Sequence, residues 1–367
     1  MFARVFLLAF ASMFIVQMAV AFGQTTLNPD ISLVGDVRAF THNDKIRPSE
    51  NNEFNLQSPD MEIIVAGYLN PYARADAVLA WEDGANAEVE ELYATILRGL
   101  PLNLNLRVGK YRLEFGRINP VHPHAYSFLH QPLPHEVYFG EEGLNDMAVR
   151  ASFTLPTGPL YTEVMGAVLK GEVLSGEEAE ITDDPIALAK NAAIHQDETL
   201  RIKPGFFVRA ATSGALSESA ELSTGASFVT AEYDRDKQLR ARVVGVDAKY
   251  KWKPNRNTSL TIEGEFLSSH REMFESEAVN ANGVYGYIDY RFRQKYNAGS
   301  MFEYSQDVND ASAHVSRIAG FAGFAPIEET TLIRLAGDWT EPNEGEGFWT
   351  LTLQFVFSLG PHQPHNF

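Results

Sequence analysis

Residues 347–359 alternate with a period of two. Trp349, Leu351, Leu353, Phe355, Phe357 and Leu359 fall on one face, and Thr350, Thr352, Gln354 and Ser358 on the other. Only Val356 interrupts the polar side. Successive side chains of an extended strand point to opposite faces, so this segment is apolar on one side and carries aromatics near both ends. A strand that meets hydrocarbon between two interfacial aromatic girdles needs that pattern. It recurs at 284–293, where Val284, Ile288, Tyr290 and Phe292 oppose Tyr285, Tyr287, Asp289, Arg291 and Arg293. At 244–252, Val244, Val246, Tyr250 and Trp252 oppose Asp247, Lys249 and Lys251; at 260–266, Leu260, Ile262 and Phe266 oppose Glu263 and Glu265.

About sixteen such segments follow one another from Ile31 onward, including 31–40, 60–70, 73–82, 88–97, 102–116, 147–156 and 160–170 in the first half. Alternation alone leaves a soluble sandwich open, because such a fold also has one apolar face per strand. The connections separate the two. Every second one is short and mostly rich in Pro, Gly or Asn, as in Asn70-Pro71-Tyr72, Arg98-Gly99-Leu100-Pro101 and Pro156-Thr157-Gly158-Pro159, residues that tolerate turn geometry. The two longest connections, 117–146 and 171–200, fall in the opposite phase. The expected fold is therefore all-β: a transmembrane antiparallel up-and-down β-barrel of about sixteen strands, an even number that leaves both termini on one side.

The N-terminus agrees. Arg4 precedes an almost wholly apolar run, Val5 to Val20, closed by Ala19-Val20-Ala21. A positive start, an apolar core and an A-x-A site describe a secretory signal peptide over 1–21, and the run is short for a spanning helix of roughly 20 residues. Residues 22–367 then form the barrel, ending in a short tail, 360–367. There are no cysteines, so an exported chain of this kind relies on strand pairing and burial rather than disulfides. Acidic residues outnumber Lys plus Arg by 48 to 30, which argues against a nucleic-acid partner.

Two features bear on chemistry. From 102 onward the apolar face runs Leu102, Leu104, Leu106, Val108 and then shifts to Tyr111, Leu113 and Phe115. A β-bulge at Gly109 would repair that phase break and turn Arg107, Lys110, Arg112 and Glu114 toward the lumen. With Asp247, Lys249, Glu263, Glu265, Asp289 and Arg291 these are the expected pore-lining residues. The second feature is the loop 117–146, which holds His122, His124, His130 and His135. Imidazole is a common neutral metal ligand, so three or four of these are candidate ligands for zinc or another divalent cation; an inert or pH-sensitive hydrogen-bonding role is the alternative. The 171–200 loop carries eight acids against Lys190, either a solvated loop or one that bridges cations to lipopolysaccharide.

The run Arg107-Val108-Gly109-Lys110-Tyr111-Arg112-Leu113-Glu114-Phe115-Gly116, followed by a long third outer loop, resembles the sixteen-stranded porins related to the phosphate-selective O and P type. The resemblance implies a channel whose third loop folds inward to form the constriction. Beyond Arg117, however, this loop has no Lys or Arg and carries Glu136, Glu141, Glu142 and Asp146, which argues against phosphate selectivity. The expectation is an outer-membrane channel of Gram-negative type for passive diffusion of small hydrophilic solutes or ions. Its partners would be lipid, lipopolysaccharide and the barrel assembly machinery, and a homo-oligomer is allowed. There is no G-x-S-x-G, H-E-x-x-H or cysteine site, so no catalytic residue is expected; a non-conducting structural, adhesin or metal-binding outer-membrane barrel is the alternative.

Overall fold

The computed structural model describes residues 29–45, 51–81, 86–171, 174, 204–234, 237–327 and 330–360. The expected signal peptide, most of the acidic loop 171–200 and the tail beyond Gly360 lie outside them. The strands are β1 (Asp30–His42), the two-residue β2 (Asn55–Leu56), β3 (Asp60–Asn70), β4 (Ala73–Trp81), β5 (Glu88–Ile96), β6 (Asn105–Arg112), β7 (Asn145–Thr157), β8 (Leu160–Leu169) and β9 (Gly205–Ser217). They continue with β10 (Ala220–Asp234), β11 (Leu239–Asn255), β12 (Thr258–Arg271), β13 (Val279–Phe292), β14 (Tyr296–Gln306), β15 (His314–Phe324), β16 (Thr331–Pro342) and β17 (Phe348–Leu359). Sixteen long strands pair antiparallel, each with its neighbours in sequence, and the sheet closes on itself.

Closure is made by β1. Leu33 to His42 pair with Leu359 to Thr350 of β17, while Asp30 to Asp36 pair with Ala66 to Asp60 of β3. Beyond Asp36 the second edge of β1 is continued by β2, through Ala39 with Leu56 and Phe40 with Asn55. A closed antiparallel sheet satisfies its own backbone polar groups, which is why barrels, and not open sheets, tolerate lipid on their outer surface.

The alternation reads out directly. On β17, Trp349, Leu351, Leu353, Phe355 and Leu359 are exposed, while Thr352, Gln354 and Val356 are buried inside. At the turn end of the wall, Tyr290, Phe292, Tyr296 and Phe324 stack in series with ring centroids 6.1, 5.3 and 5.0 Å apart. The series makes part of an outward aromatic girdle, where amphipathic rings favour a membrane interface. Short turns and longer loops alternate in the phase that the sequence requires.

The stretch 102–116 differs from expectation. β6 is only eight residues, preceded by a 3-10 turn at Pro101–Asn103. Its register is unbroken past Gly109, which pairs with Tyr93 on one side and Ala148 on the other. The register shift lies instead in β5, where Val78 faces Glu91 but Leu79 faces Val89, leaving Glu90 as the extra residue. Gly109 is required for another reason: its φ is +141°, and a Cβ there would lie 2.1 Å from the Leu92 carbonyl oxygen.

Two corrections follow from the regular register. Lys110 lies on the outward row with Val108, level with Leu92 and Met147, both exposed. It is therefore not a lumen residue, and its ammonium donates to the Val89 carbonyl at 3.1 Å. Tyr111, Leu113 and Phe115, expected on the lipid face, are each 0% exposed. After Arg112 the chain leaves the wall and turns into the barrel, so these side chains belong to an interior core.

Replacing outward Leu353 by Arg is expected to destabilise the barrel by about 2–4 kcal/mol, the cost of a cation on the lipid face near the midplane. Urea titration of folding into lipid vesicles measures it, and an unchanged midpoint would contradict the outward assignment.

Candidate functional site

The β6–β7 connection, residues 113–144, occupies the lumen. It contains a 3-10 turn at Pro123–Ala125 and one short helix, α1 (Leu133–Phe139). Its stem is apolar. Leu113 and Phe115 pack with Phe139 and Leu144 of the same loop and with Leu169, Phe207 and Leu267 of the wall. Each such side chain, fully buried, contributes roughly 1.5–3 kcal/mol. Further along, Ile118, Tyr126, Phe128 and Leu129 pack against Tyr285, Tyr287, Met301 and Phe321. The wall is hollowed to receive the loop: a Cβ on Gly245 would lie 2.6 Å from the Phe115 ring.

Polar anchors fix the loop at several heights around the wall. Glu265 on β12 is buried and accepts three bonds from it. These come from the backbone N–H groups of Arg117 and Ile118 and, at 2.7 Å, from His135 Nε2. Glu303 on β14 accepts from Leu133 N at 2.8 Å and is also paired with Arg317. Arg334 on β16 donates to the carbonyls of Phe128, at 2.6 Å, and Tyr126. It also reaches Gln354, which in turn donates to Asp36. Arg317 and Arg291 reach the Gln131 carbonyl and Ser127 Oγ, each at 3.3 Å.

Most of the expected lining residues face inward, as pairs. Glu114 joins Arg107 at 3.0 Å and also meets Arg150. Arg112 is buried against Glu90 at 2.6 Å. Arg209 holds Asp247 through two bonds, of 2.6 and 3.1 Å, Lys249 meets Glu263 at 3.1 Å, and Arg291 meets Asp289 at 3.1 Å. A buried charge is strongly disfavoured unless paired, so pairing is the condition on which these side chains can line a partly filled lumen.

The four loop histidines separate. His135 is buried against Glu265, with Phe115 and Tyr285 at its ring edges. His130 stands 3.8 Å from Asp338 on β16. Only His122 and His124 come together, with ring centroids 5.8 Å apart. A single metal held by three or four of these histidines is therefore not the arrangement found. What joins the pair is a set of wall carboxylates absent from the sequence-based list. His122 Nδ1 lies 3.4 Å from Glu62 and 3.5 Å from Glu90, and its Nε2 lies 3.7 Å from Glu91; His124 Nδ1 lies 3.1 Å from Glu62. Burial opposes a charge on His122, but these carboxylates prevail and hold its pKa well above the ordinary imidazole range. An acid alternating with apolar residues on a strand reads only as an inward residue, so the sequence signal for the acids was generic.

At the turn end of the lumen a cavity of about 180 Å³ is lined by His124, Tyr126, Arg291, Asn297, Thr331 and Arg334, among others. The loop therefore leaves room on its turn side.

No protein-family model matches the chain. A relative from Aquifex aeolicus (strain VF5), described as an uncharacterized protein, is 26% identical over 345 residues, spanning 87% of this chain and 71% of its own length. Among solved structures, the loop L8 deletion mutant of the Vibrio cholerae outer membrane protein OmpT superposes with a TM-score of 0.58 at 6% identity. That match covers 90% of this chain and 99% of the other. An anion-selective porin from Comamonas acidovorans gives 0.58 at 7% identity over 90% and 100% of the two chains. The outer membrane channel DcaP of Acinetobacter baumannii gives 0.56 at 9% over 92% and 99%. At these identities the likeness concerns the fold, a sixteen-stranded porin barrel.

Glu265 is the anchor whose loss leaves most donors unsatisfied. Replacing it with Ala is expected to cost about 2–4 kcal/mol, since two loop N–H groups and His135 lose a charged acceptor. It should also release the loop, so limited proteolysis of the folded barrel would cleave within 117–144 at least tenfold faster than in the parent protein. Equal cleavage rates would show that the apolar stem and the remaining anchors hold the loop without Glu265.

Proposed function

We propose that the protein is an outer-membrane channel through which small hydrophilic solutes diffuse passively, past a constriction formed by the loop 113–144. The observation that carries this reading is the combination of a closed sixteen-stranded wall, an inward face of paired charges and a third outer loop anchored inside the lumen. A barrel of this strand number is wide enough for an aqueous passage, and the loop narrows it. The description of the Acinetobacter baumannii neighbour as an outer membrane channel, and of the Comamonas acidovorans neighbour as an anion-selective porin, supports the reading.

Selectivity follows from the pairing. An anion track, as in the phosphate-selective porins that the 107–116 segment resembles, needs basic side chains available to a solute. Here Arg107 and Arg112 are held by Glu114 and Glu90, and Lys110 faces outward. Permeation is accordingly governed by size and weakly by charge. The apolar outer band would sit in the outer membrane, in contact with lipid and lipopolysaccharide and inserted by the barrel assembly machinery. A homo-oligomer fits as well, since Vibrio cholerae OmpT is described in a trimer form. A second reading, a non-conducting structural barrel, is favoured by the two apolar clusters within the lumen.

Planar-bilayer recording of the refolded protein decides between them. Discrete small steps with a near-zero reversal potential in a salt gradient are expected. The variant Glu265→Ala, with its loop released, is expected to show larger ones. A barrel that folds yet gives no steps in either form would sink the channel reading and leave the structural barrel.

A further inference from the structure

We propose that Glu62 of β3, Glu90 of β5 and His122 of the lumen loop form a binding site for a divalent transition-metal ion of the zinc class, which pins the loop to the barrel wall. Among the described residues, this is the set that brings three ligand atoms from different side chains within 4.8 Å of one another. The spacing fits a shared ion better than a close charge-assisted hydrogen bond. Charge-assisted hydrogen bonds from nitrogen to carboxylate run at about 2.7–2.9 Å. His122 Nδ1 instead stands 3.4 Å from one Glu62 oxygen and 3.5 Å from one Glu90 oxygen. Those separations match the ligand-to-ligand edge, about 3.3–3.4 Å, of a tetrahedron with bonds of about 2.0–2.1 Å around zinc. Both His122 Nδ1 and that Glu62 oxygen, Oε2, are buried from solvent and without a hydrogen-bond partner. These two atoms face each other at 3.4 Å, too far for a good hydrogen bond and placed for an ion to sit between them.

The surroundings complete the design. Each proposed ligand has its second atom held by a neighbour. Glu62 Oε1 accepts from His124 Nδ1 at 3.1 Å, Glu90 Oε1 accepts from Arg112 Nε at 2.8 Å, and His122 Nε2 faces Glu91 at 3.7 Å. Metal-binding imidazoles and carboxylates are oriented by such outer partners. Glu91 is itself fixed, since its Oε1 accepts the backbone N–H of Arg112 at 2.9 Å. The charges also balance. Glu62, Glu90 and Glu91 against Arg112 leave a formal −2 once the ion displaces the proton that His122 otherwise shares with these carboxylates, and one divalent cation neutralises it. One imidazole and two carboxylates suit zinc and its neighbours, whereas calcium and magnesium take oxygen ligands alone. The site does not depend on the channel reading, because an ion can pin the loop whether or not solute passes.

The test is zinc binding to the refolded full chain in detergent, measured by competition with a chromophoric chelator. The parent protein is expected to bind one tight equivalent that magnesium in large excess does not displace. Glu62→Gln and His122→Asn, which preserve shape, are each expected to weaken that equivalent roughly 100-fold or more, beyond the 10–100-fold cost of losing an outer partner. His130→Ala should leave it intact. Zinc-edge X-ray absorption of the parent protein gives an independent reading that needs no variant. It should show nitrogen and oxygen neighbours at about 2.0–2.1 Å with imidazole outer-shell scattering. Unchanged affinity in both variants, or an absorption spectrum without an imidazole ligand, would overturn the proposal.

Discussion

Everything in this molecule depends on the double pairing of β1. One strand of thirteen residues carries β17 along one edge and β3, then β2, along the other. Without that seam the sheet would have two open edges facing hydrocarbon, where an unpaired backbone group costs several kcal/mol. With it, the apolar residues of every strand have one side to face and the polar ones the other. The interior then becomes a space cut off from lipid by the wall and from bulk water by whatever fills it. The arrangement of charge inside is a consequence of that confinement.

Confinement explains why the wall charges come in pairs and why the loop is made of the residues it is made of. Beyond Arg117 the loop has no Lys or Arg, and in the sequence this looked like an argument about solutes. The structure gives it a mechanical meaning as well. Beyond Arg117 the guanidinium groups come from the wall, and the loop supplies acceptors to them: the carbonyls of Tyr126, Phe128 and Gln131 and the hydroxyl of Ser127. In return, Glu265 and Glu303 of the wall take the loop's N–H groups and the His135 ring. Arg117, at the start of the loop, already lies 4.0 and 3.9 Å from Asp247 and Glu263, which Arg209 and Lys249 hold, and a further lysine or arginine beyond it would compete with the wall in the same way.

The wall was legible in the sequence because its period is two and its outer face is monotonously apolar, from Val244 and Val246 to Leu353 and Phe355. The phase of turns and loops was legible for an equally local reason, the turn residues themselves. What sequence alone could not separate was one apolar environment from another. Tyr111, Leu113 and Phe115 continue an alternating pattern and so read as lipid-facing, with an invented bulge at Gly109 to make the parity fit. The structure keeps the parity and moves the boundary, ending the strand at Arg112. Lys110 was displaced by the same error in the opposite direction. The histidines were found by their density in the loop, but their partners were hidden. Glu62, Glu90 and Glu91 belong to strands more than thirty residues earlier than His124, and only closure of the wall brings them to it.

The loop's composition settles how it can be held with so few anchors. Fixing a residue's backbone costs roughly 1–2 kcal/mol of conformational entropy, a heavy burden for the long connection 113–144 with one short helix. Pro120, Pro123, Pro132 and Pro134 reduce it, since a proline has φ already set and restricts the residue before it. They punctuate the loop where it makes its turns: His122 enters the 3-10 turn with Pro123 at its start, and Pro132 and Pro134 open α1. Little freedom is left to lose between one anchor and the next. The histidines are thereby presented to the wall by stiff backbone and not by a flexible arm, with His122 and His124 on either side of Pro123 reaching one group of carboxylates together. That stiffness makes the insert a fixed part of the lumen wall, with its position decided at a handful of charged contacts and its shape decided by its own sequence.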